Sequence, residues 1–128
     1  MIGLILDHTA VRFYRDGRGR VGALIARTSA MRQRIGLPVL ALAEGYRHAG
    51  PEQALVLDVL ANLPAVDILP LDATAAPTLG TWANRLGDYP LAHAVLETAS
   101  RPVVPLVSAL PTTVHRILAE GWPVVSPE

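Results

Sequence analysis

The stretch MIGLILDHTA, residues 1–10, decides how the rest of the chain is read. Its apolar run is continuous rather than alternating, and it stops abruptly at Asp7. A strand that is apolar on both faces belongs in a parallel sheet covered by helices on either side. Beyond it, apolar segments of strand length alternate with segments of helical period. A helix is predicted from about Thr9, and Asp16-Gly17-Arg18-Gly19 is a turn signal. Val21, Leu24, Ile25, Thr28 and Met31 then recur at helical spacing across residues 21–34, and Gly36 reads as the stop. Residues 37–43 read as the second strand and 44–48 as the start of the next helix.

Gly50-Pro51 breaks the chain, and Pro51 suits the first position of a helix through Gln53, Leu57 and Leu60. Residues 66–71 are predicted as the third strand. Asp72 and Thr74 are plausible caps for a helix over residues 75–86 that Gly87 ends. Asp88 caps another, with Pro90 in its first turn and Leu91, Val95 and Leu96 on its buried face. Residues 103–107 form the fourth predicted strand. Thr112 or Thr113 caps a last helix to Glu120, Gly121 stops it, and residues 122–125 close as a fifth strand. The sum is a single α/β domain over residues 1–128, a three-layer α/β/α sandwich around a parallel sheet of about five strands.

Composition narrows the chemistry. The chain has no cysteine, which excludes disulfides, thiolate ligands and a cysteine nucleophile. Its apolar runs are too short to span a bilayer, and the N-terminus has no basic leader, so a soluble, cytoplasmic protein is expected. Net charge is zero but unevenly spread: eight of the 11 basic residues, all arginine, lie at or before Arg47, against three carboxylates there. Two readings stay open, an ordinary solvated surface or a face for phosphate or an acidic partner. The glycines follow no phosphate-loop pattern.

In a right-handed α/β arrangement, Asp7, Glu44 and Asp88 all project toward the carboxyl edge of the sheet, where such folds gather their ligands. Carboxylates brought together raise one another's pKa unless a cation neutralises them. A hard divalent ion, Mg²⁺ or Mn²⁺, is the natural partner, able to activate water and stabilise charge at a phosphodiester. Each residue also has a plain structural role open to it: Asp7 and Asp88 as helix caps, Glu44 as the ion-pair partner of Arg47.

Several segments resemble PIN domains, specifically the small VapC-type toxins of bacterial toxin–antitoxin pairs. These are ILDHTA at the start, LALAEGYR around Glu44, VDILPLDATAA, LGDYPLAHAVLE and the closing PLVSALPTTVHRILAEGWPVVSP. The resemblance implies a metal-dependent endoribonuclease in which Asp7, Glu44 and Asp88 hold one Mg²⁺ (or Mn²⁺) and orient a water toward RNA. Thr9 and Ser108 match the family's hydroxyl positions and would hold the ligands or bound waters in place. It further implies a homodimer and a cognate antitoxin whose C-terminal segment covers the cleft. One departure stands out, since Leu110 occupies the position where active members carry a further aspartate. The alternative is therefore a catalytically silent PIN-like domain that binds protein or RNA.

Of the remaining residues, His8 is expected to point away from the cleft because it neighbours a strand-end ligand. His93 reads as a helix-surface or partly buried residue. Trp82 and Trp122 read as core or partner-facing, and Tyr46 and Tyr89 as packing at helix ends. Arg12 and Arg15, close behind Asp7, are the best candidates for contacts to phosphate.

Overall fold

A computed structural model describes residues 1–128. The first apolar run forms β1 (Ile2–Leu6), followed by α1 (His8–Arg15) and α2 (Val21–Ala30). Then come β2 (Arg34–Pro38), α3 (Val39–Tyr46), α4 (Pro51–Ala61) and β3 (Val66–Leu69). A short 3₁₀ turn leads into α5 (Ala76–Leu86) and α6 (Tyr89–Ala99), and β4 (Leu106–Val107), α7 (Pro111–Val114) and β5 (Val124–Val125) complete the chain. The five strands form one sheet in the order β3-β2-β1-β4-β5. Every neighbouring pair is parallel. No helix is long and apolar enough to cross a membrane.

Alternation along β1 divides the core between the two faces of the sheet. Leu4 and Leu6 pack with Val11, Ile25, Leu37 and Leu57 on the face covered by α1, α2 and α4. Ile5 points to the other face, among Leu86, Leu91, Val95, Leu106 and Val114, with Trp82 and Trp122 packed against them. Burying such side chains stabilises the fold by about 1.5–3 kcal/mol each, before the cost of ordering the chain. The expected three-layer parallel architecture is thus the one observed.

Several boundaries differ from the sequence reading, each for a physical reason. Gly36 does not stop a helix; it lies inside β2, where an added Cβ would meet Leu69 Cδ1 at 2.9 Å and Ile5 Cγ1 at 3.2 Å. The reversal after α2 is instead made by Arg32, a non-glycine residue at φ 58°, and Met31 is exposed rather than buried. Residues 39–43, read as strand, are the first turns of α3, so Glu44 sits well inside that helix. The fourth strand shortens to two residues because Pro105 offers no amide to the ladder, although its carbonyl accepts from Ile5 N–H at 3.0 Å. The last helix is one turn, with Leu110 at its N-cap and no side-chain cap from Thr112 or Thr113.

Candidate functional site

Asp7 ends β1 where its amide donates to the Val107 carbonyl at 3.2 Å, the last rung between the central strands. Its side chain caps α1: Oδ1 accepts from Ala10 N–H at 2.9 Å and from the Thr9 hydroxyl at 2.6 Å. Thr9 Oγ1 in turn accepts from Ala109 N–H at 2.8 Å, tying the start of α1 to the end of β4. Ser108 Oγ accepts from Leu110 N–H at 3.0 Å. Asp7 is fully buried, and its Oδ2 has no hydrogen-bond partner. Burial pushes the Asp7 carboxyl up from its ordinary value, against the opposing influence of Ser108, Thr9, the Ala10 amide and the His8 charge.

Asp88 caps α6, its Oδ1 accepting from Leu91 N–H at 2.8 Å. Its Oδ2 lies 2.7 Å from His8 Nε2. The expectation that His8 turns away is therefore corrected. His8 is the first residue of a helix rather than the next residue of a strand, and its ring swings across the sheet edge to Asp88. Burial raises the Asp88 carboxyl, but the His8 and Leu91 hydrogen bonds and the charges of His8 and Arg12 outweigh it, leaving Asp88 below the usual carboxylate range. Burial also pulls the His8 imidazole down; the bond to Asp88 and the charges of Asp88 and Asp7 more than reverse this, so its pKa is raised.

Two adjoining depressions share His8 and Glu44 as walls. One, a cavity of about 280 Å³, is completed by Arg12, Arg15, Gly45 and His48 and has no hydrophobic residue in its wall. The other, about 470 Å³, reaches Arg47, Asp88 and Tyr89. Glu44 pairs with Arg47 at 3.2 Å, the plain role open to it from the sequence. Arg15 is engaged, its Nε donating to Asp16 Oδ1 at 2.9 Å and its Nη1 to the Gly45 carbonyl at 3.0 Å. Arg12 is exposed, and its side chain makes no ion pair or hydrogen bond. The structure thus brings Asp88, Glu44, His8 and Arg12 around one edge and leaves Asp7 beneath it.

A divalent ion takes several oxygen ligands in one shell. No three of the chain's acidic and histidine side chains converge as such a set. Both Asp88 oxygens are already hydrogen-bonded, Asp7 Oδ2 is the unengaged oxygen of the pair, and Glu44 leans on Arg47. Leu110 packs against the core of the α5–α6 face instead of offering a ligand. As arranged, these side chains do not fit a divalent ion.

The sequence reading missed His8 as a site residue. The signal was its adjacency to a capping aspartate, which fixes it at the first helical position rather than in a strand. His93 is fully buried, not at the surface; its Nδ1 faces Leu40 N–H at 3.5 Å. Tyr46 is half-buried with its hydroxyl donating to Asp58, and Tyr89 is exposed at the cleft rim.

No family model matches the chain, and no curated protein matches it. Among solved structures it is similar to a chain of the crystal structure of VapBC2 from Rickettsia felis bound to a DNA fragment from their promoter, with a TM-score of 0.66. The identity is 14% and the overlap covers 100% of both chains. At that identity the likeness is one of fold, and with the five-stranded parallel sheet it bears out the PIN-like α/β/α architecture.

Proposed function

We propose that this chain is the toxin-side member of a toxin–antitoxin pair and that its carboxyl-edge cleft receives the phosphate backbone of RNA. The carrying observation is Arg12, exposed and without an ion-pair partner at a depression whose other walls are His8, Arg15, Glu44, Gly45 and His48, none of them hydrophobic. A cationic rim over a polar lining suits a phosphodiester, which is recognised by charge and hydrogen bonding rather than by apolar contact. Arg15 adds to the field while its hydrogen bonds to Asp16 and Gly45 hold α1 against α3.

The full-length likeness to a chain of the VapBC2 complex supports an antitoxin partner. A groove of about 330 Å³ between α2 and the turn before β3, lined by Ile25, Ala26, Leu63 and Pro64 with Tyr14 at its end, offers an apolar seat for one. A homodimer and a cytoplasmic location belong to the same reading. RNA is held and not cut, because the acidic residues do not converge and Leu110 supplies no fourth carboxylate.

A second reading is favoured by one observation, the buried Asp7 oxygen without a donor. In it the chain is a divalent-metal-dependent endoribonuclease using Asp7, Glu44 and Asp88, with Thr9 and Ser108 positioning them. Labelled single-stranded RNA titrated with wild type and Arg12→Gln, in chelator and then in Mn²⁺, with products run on a gel, decides between the two. The expected result is binding in chelator, no products in either condition, and a salt slope for Arg12→Gln smaller by about one. Products that depend on Mn²⁺ would establish the second reading, and absence of RNA binding would sink the first.

A further inference from the structure

The His8 side chain lies between the two capping aspartates at the carboxyl edge of the sheet. Its Nε2 holds Asp88 Oδ2 at 2.7 Å, it follows Asp7 directly, and it lines both depressions that Glu44 lines. Asp88 Oδ1 is taken by the α6 amide of Leu91, so Oδ2 is the oxygen this aspartate has left to offer a metal. Asp7 Oδ2, buried and without a donor, is the other. The imidazole therefore controls one of the two oxygens that Asp7 and Asp88 have left between them.

We infer that His8 is a built-in substitute for a divalent cation, and that its bond to Asp88 keeps metal out of this edge of the sheet. The chemistry follows from what an incoming ion must do. Mg²⁺ and Mn²⁺ shed water reluctantly and need carboxylate oxygens at short, well-directed distances. An imidazole N–H anchored to the same backbone loses no translational freedom when it binds, and a short N–H···O bond to a carboxylate is among the stronger hydrogen bonds. With Asp88 Oδ2 occupied from within, the cleft presents the free Arg12 guanidinium to an anion and one carboxylate oxygen fewer to a metal. The inference deepens the RNA-binding proposal and rests on it only for its biological sense, since metal occupancy is measured without RNA.

Mn²⁺ titration by calorimetry and by loss of the free-ion electron-spin signal tests it on the full chain. Wild type is expected to show no saturable binding at millimolar Mn²⁺. His8→Ala is expected to bind one ion, roughly tenfold tighter or more than any residual wild-type association, and His8→Ala with Asp88→Asn is expected to lose it. His8→Ser, which keeps a small polar residue at the first helical position, serves beside His8→Ala if that variant folds poorly, with circular dichroism as the folding control. Equal Mn²⁺ affinity in wild type and the His8 variants would overturn the inference. So would a folded His8 variant that binds none. Failure of RNA binding leaves these outcomes untouched, so the two ideas fall separately.

Discussion

Replacing Asp7 by Asn is expected to make the protein more stable. Asp7 is fully buried, Oδ2 has no donor, and burial raises its carboxyl pKa above the ordinary value of 3.8. Asparagine keeps the Oδ1 acceptor that caps Ala10 N–H and receives the Thr9 hydroxyl. Its new Nδ2 can donate toward the Ser108 hydroxyl that faces this side chain. What disappears is a carboxylate charge in a buried site. Leaving a buried polar group unsatisfied costs about 1–3 kcal/mol, and part of that is already offset by the surrounding donors. A net gain of about 1 kcal/mol is expected at neutral pH, which for a domain of this size moves Tm by about 3–5 °C.

The pH dependence gives the sharper check. A carboxyl whose folded pKa lies above its unfolded value binds the proton more tightly when folded. Its contribution to stability is present below the unfolded pKa and is lost as pH rises through the folded one. Asp7→Asn has no such group, so its advantage over wild type should be small in acid and widen toward neutrality. Urea unfolding of both proteins from about pH 4 to about pH 8 reads the difference directly. A variant less stable than wild type at neutral pH, or an advantage that does not grow with pH, would refute the reasoning.

Two further substitutions test the packing that supports the cleft. Gly45→Ala should destabilise by about 1–3 kcal/mol, because its Cβ would meet Val11 Cγ1 at 2.7 Å where α3 crosses α1; elsewhere in a helix the same change would help by about 1 kcal/mol, so a stabilised variant in thermal melts would contradict the close approach. Trp122→Phe should cost about 1 kcal/mol in urea unfolding, since it removes the 2.9 Å donation from Nε1 to the Val104 carbonyl; an unchanged midpoint would show that this bond carries no net stability.

The parts of the fold written in local chemistry were legible from the sequence. The uninterrupted apolar run of β1 and its stop at Asp7, the Gly87-Asp88 boundary with φ 71° at Gly87, and Pro51 opening α4 are all decided by neighbouring residues. The misreadings came from tertiary causes. Gly36 looks like a helix stop in isolation and is required instead by the closeness of β3 and β1. Residues 39–43 are apolar enough for a strand, but Ala and Leu favour the helix that places Glu44 over α1. The conformation of Arg32 carries no signal in its own side chain. At the site, the shared edge was legible from the placement of the carboxylates, while their failure to converge was not. That failure depends on where the His8 ring swings and on Leu110 turning into the core.

The bond from Ala109 N–H to Thr9 spans 100 residues, and the β1–β4 ladder beneath it has only two paired positions. Closing so long a loop carries an entropic cost that local contacts do not share. The groove between α2 and the turn before β3, by contrast, draws on residues 14–65 alone. On a growing polypeptide this apolar groove is therefore synthesised in full before the acidic edge has its closing strand. In the finished protein the same rung makes the Ala109 amide a reporter: its hydrogen exchange reads how often the two ends of the chain part company.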